Sequence, residues 1–169
     1  MPDAAFDCAV AGLVLNFVSD PARAVAKMRR ATRAGGTVAV YVWDYARAMQ
    51  MMRRFWDAAA ALDPAASDLD KGRRFPICRP EPLADLFEGA GQREVETCAL
   101  DVHTVFRNFE DYWSPFLGGQ GPAPGYCMSL SEERRIALWE RLRESLPVAA
   151  DGTIYLTARA WAVRGITGS

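Results

Sequence analysis

Apolar residues first gather at positions 6–15 (FDCAVAGLVL), a run broken only by Asp7. A short continuous apolar run without alternation predicts a strand covered on both faces, as in parallel sheets. Asp20-Pro21 then reads as a helix start, with Asp20 as N-cap and Pro21 in the first turn, where its missing N–H costs nothing. Ala22, Val25, Met28 and Thr32 follow at helical spacing, and Gly35-Gly36 reads as the C-cap. The stretch 37–43 (TVAVYVW) predicts a second buried strand. Strand, capped helix and strand make one βαβ unit, with parallel strands and a right-handed crossover.

Beyond it, Met49, Met52, Phe55, Trp56 and Ala59 form an apolar stripe predicting a helix over 46–62, ended by Asp63-Pro64. Residues 65–74 read as a loop, 80–90 as a helix stopped by Gly91, and 93–102 as a more exposed strand. A helix start is expected at Asn108, and residues 118–125 (GGQGPAPG) are expected to be irregular. Ser129 and Glu132 have capping-box spacing, opening a helix with Ile136, Trp139, Leu142 and Leu146 on one face. Asp151-Gly152 marks a turn before a last strand over 153–163. These elements predict an α/β domain of about four strands with a small helical insert at about 103–147, all within a single domain over 1–169.

Composition narrows the function classes. Of 169 residues, 50% are hydrophobic and 24% charged, the balance of a folded globular chain. Twenty basic and 21 acidic residues leave a net charge of −1, without the basic footprint of a nucleic-acid binder. The bias to Arg (only Lys27 and Lys71 are lysines) and to Ala reads as coding bias rather than function. Cys8, Cys78, Cys98, Cys127 and the lone His103 are too scattered for a zinc site, so no metal is expected. Met1-Pro2-Asp3-Ala4 lacks the pattern of a signal peptide, and no long uncharged apolar run could span a membrane. The expectation is a reduced, cytoplasmic protein. No serine elbow, Walker loop, zinc-protease helix or paired carboxylates support a hydrolase or kinase.

Specific text in residues 6–44 resembles the second half of a class I S-adenosylmethionine-dependent methyltransferase. Phe6-Asp7-Cys8-Ala9-Val10, Leu15-Asn16-Phe17, Asp20-Pro21 and Arg30-Ala31-Thr32-Arg33-Ala34-Gly35-Gly36-Thr37 match the family's fourth strand, the loop after it, and the turn into its fifth strand. Asn16 stands where the family usually has histidine, and Ala34 where it has proline. The resemblance implies a partial Rossmann-like sheet, mostly parallel with an antiparallel last strand and helices on both faces. It also implies S-adenosylmethionine as cofactor. The family's glycine-rich cofactor loop, between its first strand and first helix, has no counterpart here: Gly35-Gly36 and Gly118 to Gly121 lie in other contexts. The chain reads as truncated, with weak or no activity alone. In the family's strand order the fourth strand is central, so residues 6–12 become an apolar edge expected to pair with a second copy or with a partner's strand.

Ligands of open α/β sheets bind beyond the carboxyl ends of the strands. The resemblance therefore assigns Gly12, Leu13 and Asn16 to the cofactor, against a reading of Leu13 as core and Asn16 as a helix cap. Trp43, Asp44 and Tyr45 end the second strand and are candidates for binding a small, apolar acceptor, although Asp44 reads first as a cap of the following helix. Tyr112 and Trp113, with Phe116, Phe55 and Trp56, could wall an apolar acceptor pocket, or simply be core. No catalytic residue is assigned. The alternative to an enzyme is a non-catalytic remnant that dimerises or binds a small ligand.

Overall fold

The two apolar runs nearest the amino terminus pair in parallel. In the computed structural model, which describes residues 3–168 apart from the side chains of Lys71 and Arg73, β1 (Phe6–Gly12) lies beside β2 (Thr32–Trp43). A parallel pair needs a crossover, and α1 (Pro21–Ala31) supplies it. The side chain of Asp20 accepts the Arg23 N–H at 2.9 Å and caps the helix. The sheet order is β1-β2-β4-β3, with β3 spanning Gln92–Phe106 and β4 Ile154–Thr167. β4 runs antiparallel to β2, from Thr37 opposite Ile166 to Trp43 opposite Ala160. The architecture is thus mixed α/β, with a mostly parallel sheet and a reversed last strand.

The chain divides into two compact units. The first comprises Met1–Asp44, Phe75–Leu100 and Arg159–Ser169. Its core is aliphatic: Leu15, Val25, Val38, Val40, Val42 and Val163 are buried, with Leu83 and Phe87 from α4 (Pro80–Gly89). The second comprises Tyr45–Arg74 and Asp101–Ala158. It is mostly helical, built from α2 (Gln50–Leu62), α3 (Lys71–Arg74), α5 (Phe109–Trp113), α6 (Pro122–Ser129) and α7 (Glu132–Ser145). Its core is aromatic, with Phe55 stacked on Phe116 at 4.4 Å between ring centres and Tyr112 and Trp113 beside them.

Several elements differ from the sequence reading. β1 is not covered on both faces: it has one neighbour among the described residues, and Phe6 and Val10 are 42% and 63% exposed. Gly35-Gly36 does not cap α1. The helix stops at Ala31, where Thr32 turns extended and its hydroxyl donates to the Met28 carbonyl at 2.9 Å. The glycines instead sit in β2 at an irregularity, where β2 carries three more residues than β1 between the pairs Phe6–Thr32 and Cys8–Thr37. Gly35 takes φ +74°, and a Cβ on Gly36 would lie 2.7 Å from the Asp7 carbonyl oxygen, so the close approach of the backbones requires glycine there.

α2 begins at Gln50 rather than 46, because Met49 lies outside helical geometry and bridges Ala158 in antiparallel fashion. The N-cap of α2 is therefore Met49, not Asp44. Residues 65–74 are not a plain loop but contain a 3-10 turn (Pro64–Leu69) and α3. The glycine- and proline-rich stretch is partly helical: Pro122 and Pro124 fall in the first turn of α6, where N–H groups have no helical partner to lose. Ser129 ends α6, and Ser131 caps α7 instead, accepting the Arg134 N–H at 3.4 Å. The buried side of α7 is consequently Leu138 and Leu142, with Leu146 just past its end, while Ile136 is 51% exposed.

Truncating a fully buried aromatic removes both its transfer free energy and its packing. Phe116→Ala should lower the unfolding free energy by about 3–5 kcal/mol in denaturant melts. A loss under about 1 kcal/mol would contradict this placement of the second unit's core.

Candidate functional site

Because β1 and β2 are parallel, their carboxyl ends lie at the same edge of the first unit. Gly12 is opposite Tyr41, and β2 continues two residues further to Trp43. The Tyr41 ring crosses over Gly12, and a Cβ at position 12 would overlap its hydroxyl. Immediately after β1 the backbone reverses at Leu13, whose N–H donates to the Tyr41 carbonyl at 2.7 Å and whose φ is +58°. Left-handed backbone costs a branched residue about 1–2 kcal/mol, and such strain gathers at functional positions.

The next turn (Leu15–Phe17) buries Leu15 as core and also buries Asn16, which is 7% exposed. The Asn16 Nδ2 is fully enclosed and has no hydrogen-bond partner among the described residues. The helix-cap reading of Asn16 does not hold, since Asp20 caps α1. A buried amide without a partner costs about 1–3 kcal/mol. Trp43 is half-buried and Asp44 is buried, its N–H donating to the Arg159 carbonyl at 2.8 Å. Gly12, Leu13, Asn16, Trp43 and Asp44 thus belong to the first unit, and the parallel pair brings its strand ends together.

Tyr45, Tyr112 and Trp113 belong to the second unit. Tyr112 is enclosed in the aromatic core, where its hydroxyl donates to the Met51 carbonyl at 3.0 Å. Burial pushes that hydroxyl well above the usual tyrosine range, and the nearby Arg54 charge offsets this only in part. Trp113 packs on Phe109 and Phe116. Tyr45 lines a cleft of about 160 Å3 with Met49, Met52, Trp56, Asp70 and residues 120–124. Sequence reasoning missed Tyr41 over Gly12 and the Arg53–Asp70 ion pair beside the cleft. A pair seventeen residues apart has no periodic signature, whereas the glycine at a strand end was a usable sign of close approach. His103 is exposed on β3, and the described residues hold no cluster of three or more His, Cys, Asp or Glu side chains able to bind a metal.

Residues 1–40 match the methyltransferase domain family. No curated protein matches the chain. Among solved structures, a candidate methyltransferase from Bacillus halodurans has a TM-score of 0.52 at 13% identity, covering 100% of this chain and 73% of that one. A candidate methyltransferase from an antibiotic biosynthesis pathway of Anabaena variabilis has a TM-score of 0.51 at 14% identity, covering 96% of this chain and 68% of that one. Phosphoethanolamine N-methyltransferase 2 from Haemonchus contortus, at 11% identity and a TM-score of 0.49, is covered over 34% of its length by 99% of this chain. The match over residues 1–40 is to a methyltransferase domain, and the fold is similar to that of the two candidate methyltransferases. Among the described residues no helix is long and apolar enough to cross a membrane.

Leucine has nearly the shape of asparagine and no unmet donor. Asn16→Leu should raise the unfolding free energy by about 1 kcal/mol in denaturant melts, and a loss of similar size would show that the amide is satisfied in solution.

Proposed function

We propose that the chain serves methyl transfer from S-adenosylmethionine to a small, apolar acceptor, with its cofactor end at Gly12, Leu13 and Asn16. The observation that carries this reading is the buried, unpartnered Nδ2 of Asn16 beside the strained Leu13. A buried donor left unmet in a native protein calls for an explanation, and a ligand or bound water that completes it is one.

When bound, S-adenosylmethionine supplies an electrophilic methyl group on a sulfonium. The chain's own part is to bind and orient. Asn16 Nδ2 donates a hydrogen bond, Gly12 keeps side-chain bulk away from the strand end, and the reversed backbone at Leu13 redirects the chain after β1. In-line displacement depends chiefly on such positioning. Of the acceptor candidates, Trp43 and Asp44 at the end of β2 are those we assign to the acceptor, while the enclosed Tyr112 is core. Asp44 is a proton acceptor only where the acceptor must lose a proton. We place the protein in the cytoplasm, without nucleic-acid partners. One donor and no glycine-rich strand-to-helix turn make for weak cofactor binding by this chain alone.

Calorimetry with S-adenosylhomocysteine tests the assignment. The expected Kd is weaker than about 100 μM, rising at least about tenfold in Asn16→Leu. Equal binding by the variant would remove Asn16 from the site, and a Kd near 1 μM would overturn the weak-binding reading.

A second, non-catalytic reading rests on β1, whose outer edge has no neighbour among the described residues while Val10 stands 63% exposed. Apolar edges of this kind recruit strands. On this reading β1 pairs with its own copy or with a partner's strand. Light scattering should then give a mass above the monomer at micromolar concentration and the monomer mass for Val10→Lys. A monomeric wild-type chain would contradict it.

A further inference from the structure

We infer that the second unit carries a binding site for a neutral, single-ring compound with one hydrogen-bond donor, a phenol or an aromatic amine. The inference concerns binding alone and stands whether or not the chain transfers methyl groups.

The cleft sets the size. Its volume of about 160 Å3 is close to that of the ~150 Å3 apolar cavity that admits benzene in another protein. Met49, Met52, Trp56 and Ala123 make most of the wall apolar. Trp56 is fixed edge-on against Phe55, with ring centres 5.2 Å apart, and provides a rigid surface. The two methionines are half-buried, and their unbranched thioethers adapt to rings of differing outline.

The polar end sets the chemistry. Asp70 lines the same cleft and is buried, at 6% exposure. Its Oδ2 pairs with the Arg53 guanidinium, and its Oδ1 accepts the Gly72 N–H at 2.9 Å. Each carboxylate oxygen has a second lone-pair direction, so Asp70 can accept one more donor from a ligand. Its charge is matched by Arg53, which is anchored to the Tyr45 carbonyl at 3.2 Å and whose other nitrogen pairs with Asp57, a carboxylate 74% exposed and screened by solvent. An ammonium ligand would meet the Arg53 charge, and a carboxylate ligand would meet Asp70. A neutral O–H or N–H satisfies the acceptor without either conflict.

Saturation-transfer NMR and calorimetry on the full chain, using phenol, aniline, toluene, benzylamine and benzoate, test the assignment. Phenol and aniline should bind, toluene about tenfold more weakly, and the two charged compounds without saturation. Met52→Trp should fill the cleft and lower phenol affinity at least about tenfold, with its melting temperature close to that of the wild type. Met49→Phe serves as the filling variant should Met52→Trp not fold. Toluene binding as well as phenol would remove the polar contact, and saturable benzylamine binding would overturn the neutral class. Unchanged phenol binding in a folded filling variant would place the ligand elsewhere. No binding by either phenol or aniline would reject the site.

Discussion

The parallel ladder between β1 and β2 is the constraint on which the first unit depends. A parallel pair cannot close with a tight turn, so the chain must leave Gly12, return through α1, and re-enter the sheet at Thr32. That path sends both strands to the same end and forces a sharp exit from β1. The exit is met by Leu13 in a left-handed conformation and by Asn16 buried with an unmet donor. Both features cost stability, and neither improves packing. Their coincidence at the strand ends where open α/β sheets bind ligands is what supports the proposed cofactor end.

The second unit is held together differently. Its stacked aromatic rings exclude water from the core, and the half-buried Arg53 ties three backbone segments through the Tyr45 carbonyl, Asp57 and Asp70. A buried ion pair of this kind adds little net stability over an apolar pair, but it fixes geometry, because removing one partner strands the other charge. Arg53 thereby fixes the 45–49 turn and the Asp70 carboxylate as walls of one cleft.

Much of the first unit was legible because its signals are local. The apolar runs, Asp20 as N-cap and Pro21 in the first turn act within a few residues, and β1, α1 and β2 lie where those signals place them. The misreadings came where tertiary contacts decide. Gly35-Gly36 looks like a helix stop, yet the carbonyl of Asp7, far back in sequence, is what demands a bare backbone there. The pairing of Met49 with Ala158 delayed the start of α2, a contact that no helical stripe can announce. Pro122 and Pro124 were read as breakers because proline's tolerance depends on where a helix begins. At the candidate site, Gly12 and Asn16 were visible as residue types at a strand end, whereas the burial of the Asn16 amide and the Tyr41 ring over Gly12 depend on strand register.

Assigning backbone amide resonances and titrating with S-adenosylhomocysteine at millimolar concentration would test most directly whether the exit from β1 is the cofactor end. The expected shifts concentrate at Gly12, Leu13 and Asn16 and extend to Trp43 and Asp44 across the parallel ladder. Shifts confined to residues 45–74 and 101–158, or none at saturating ligand, would contradict it.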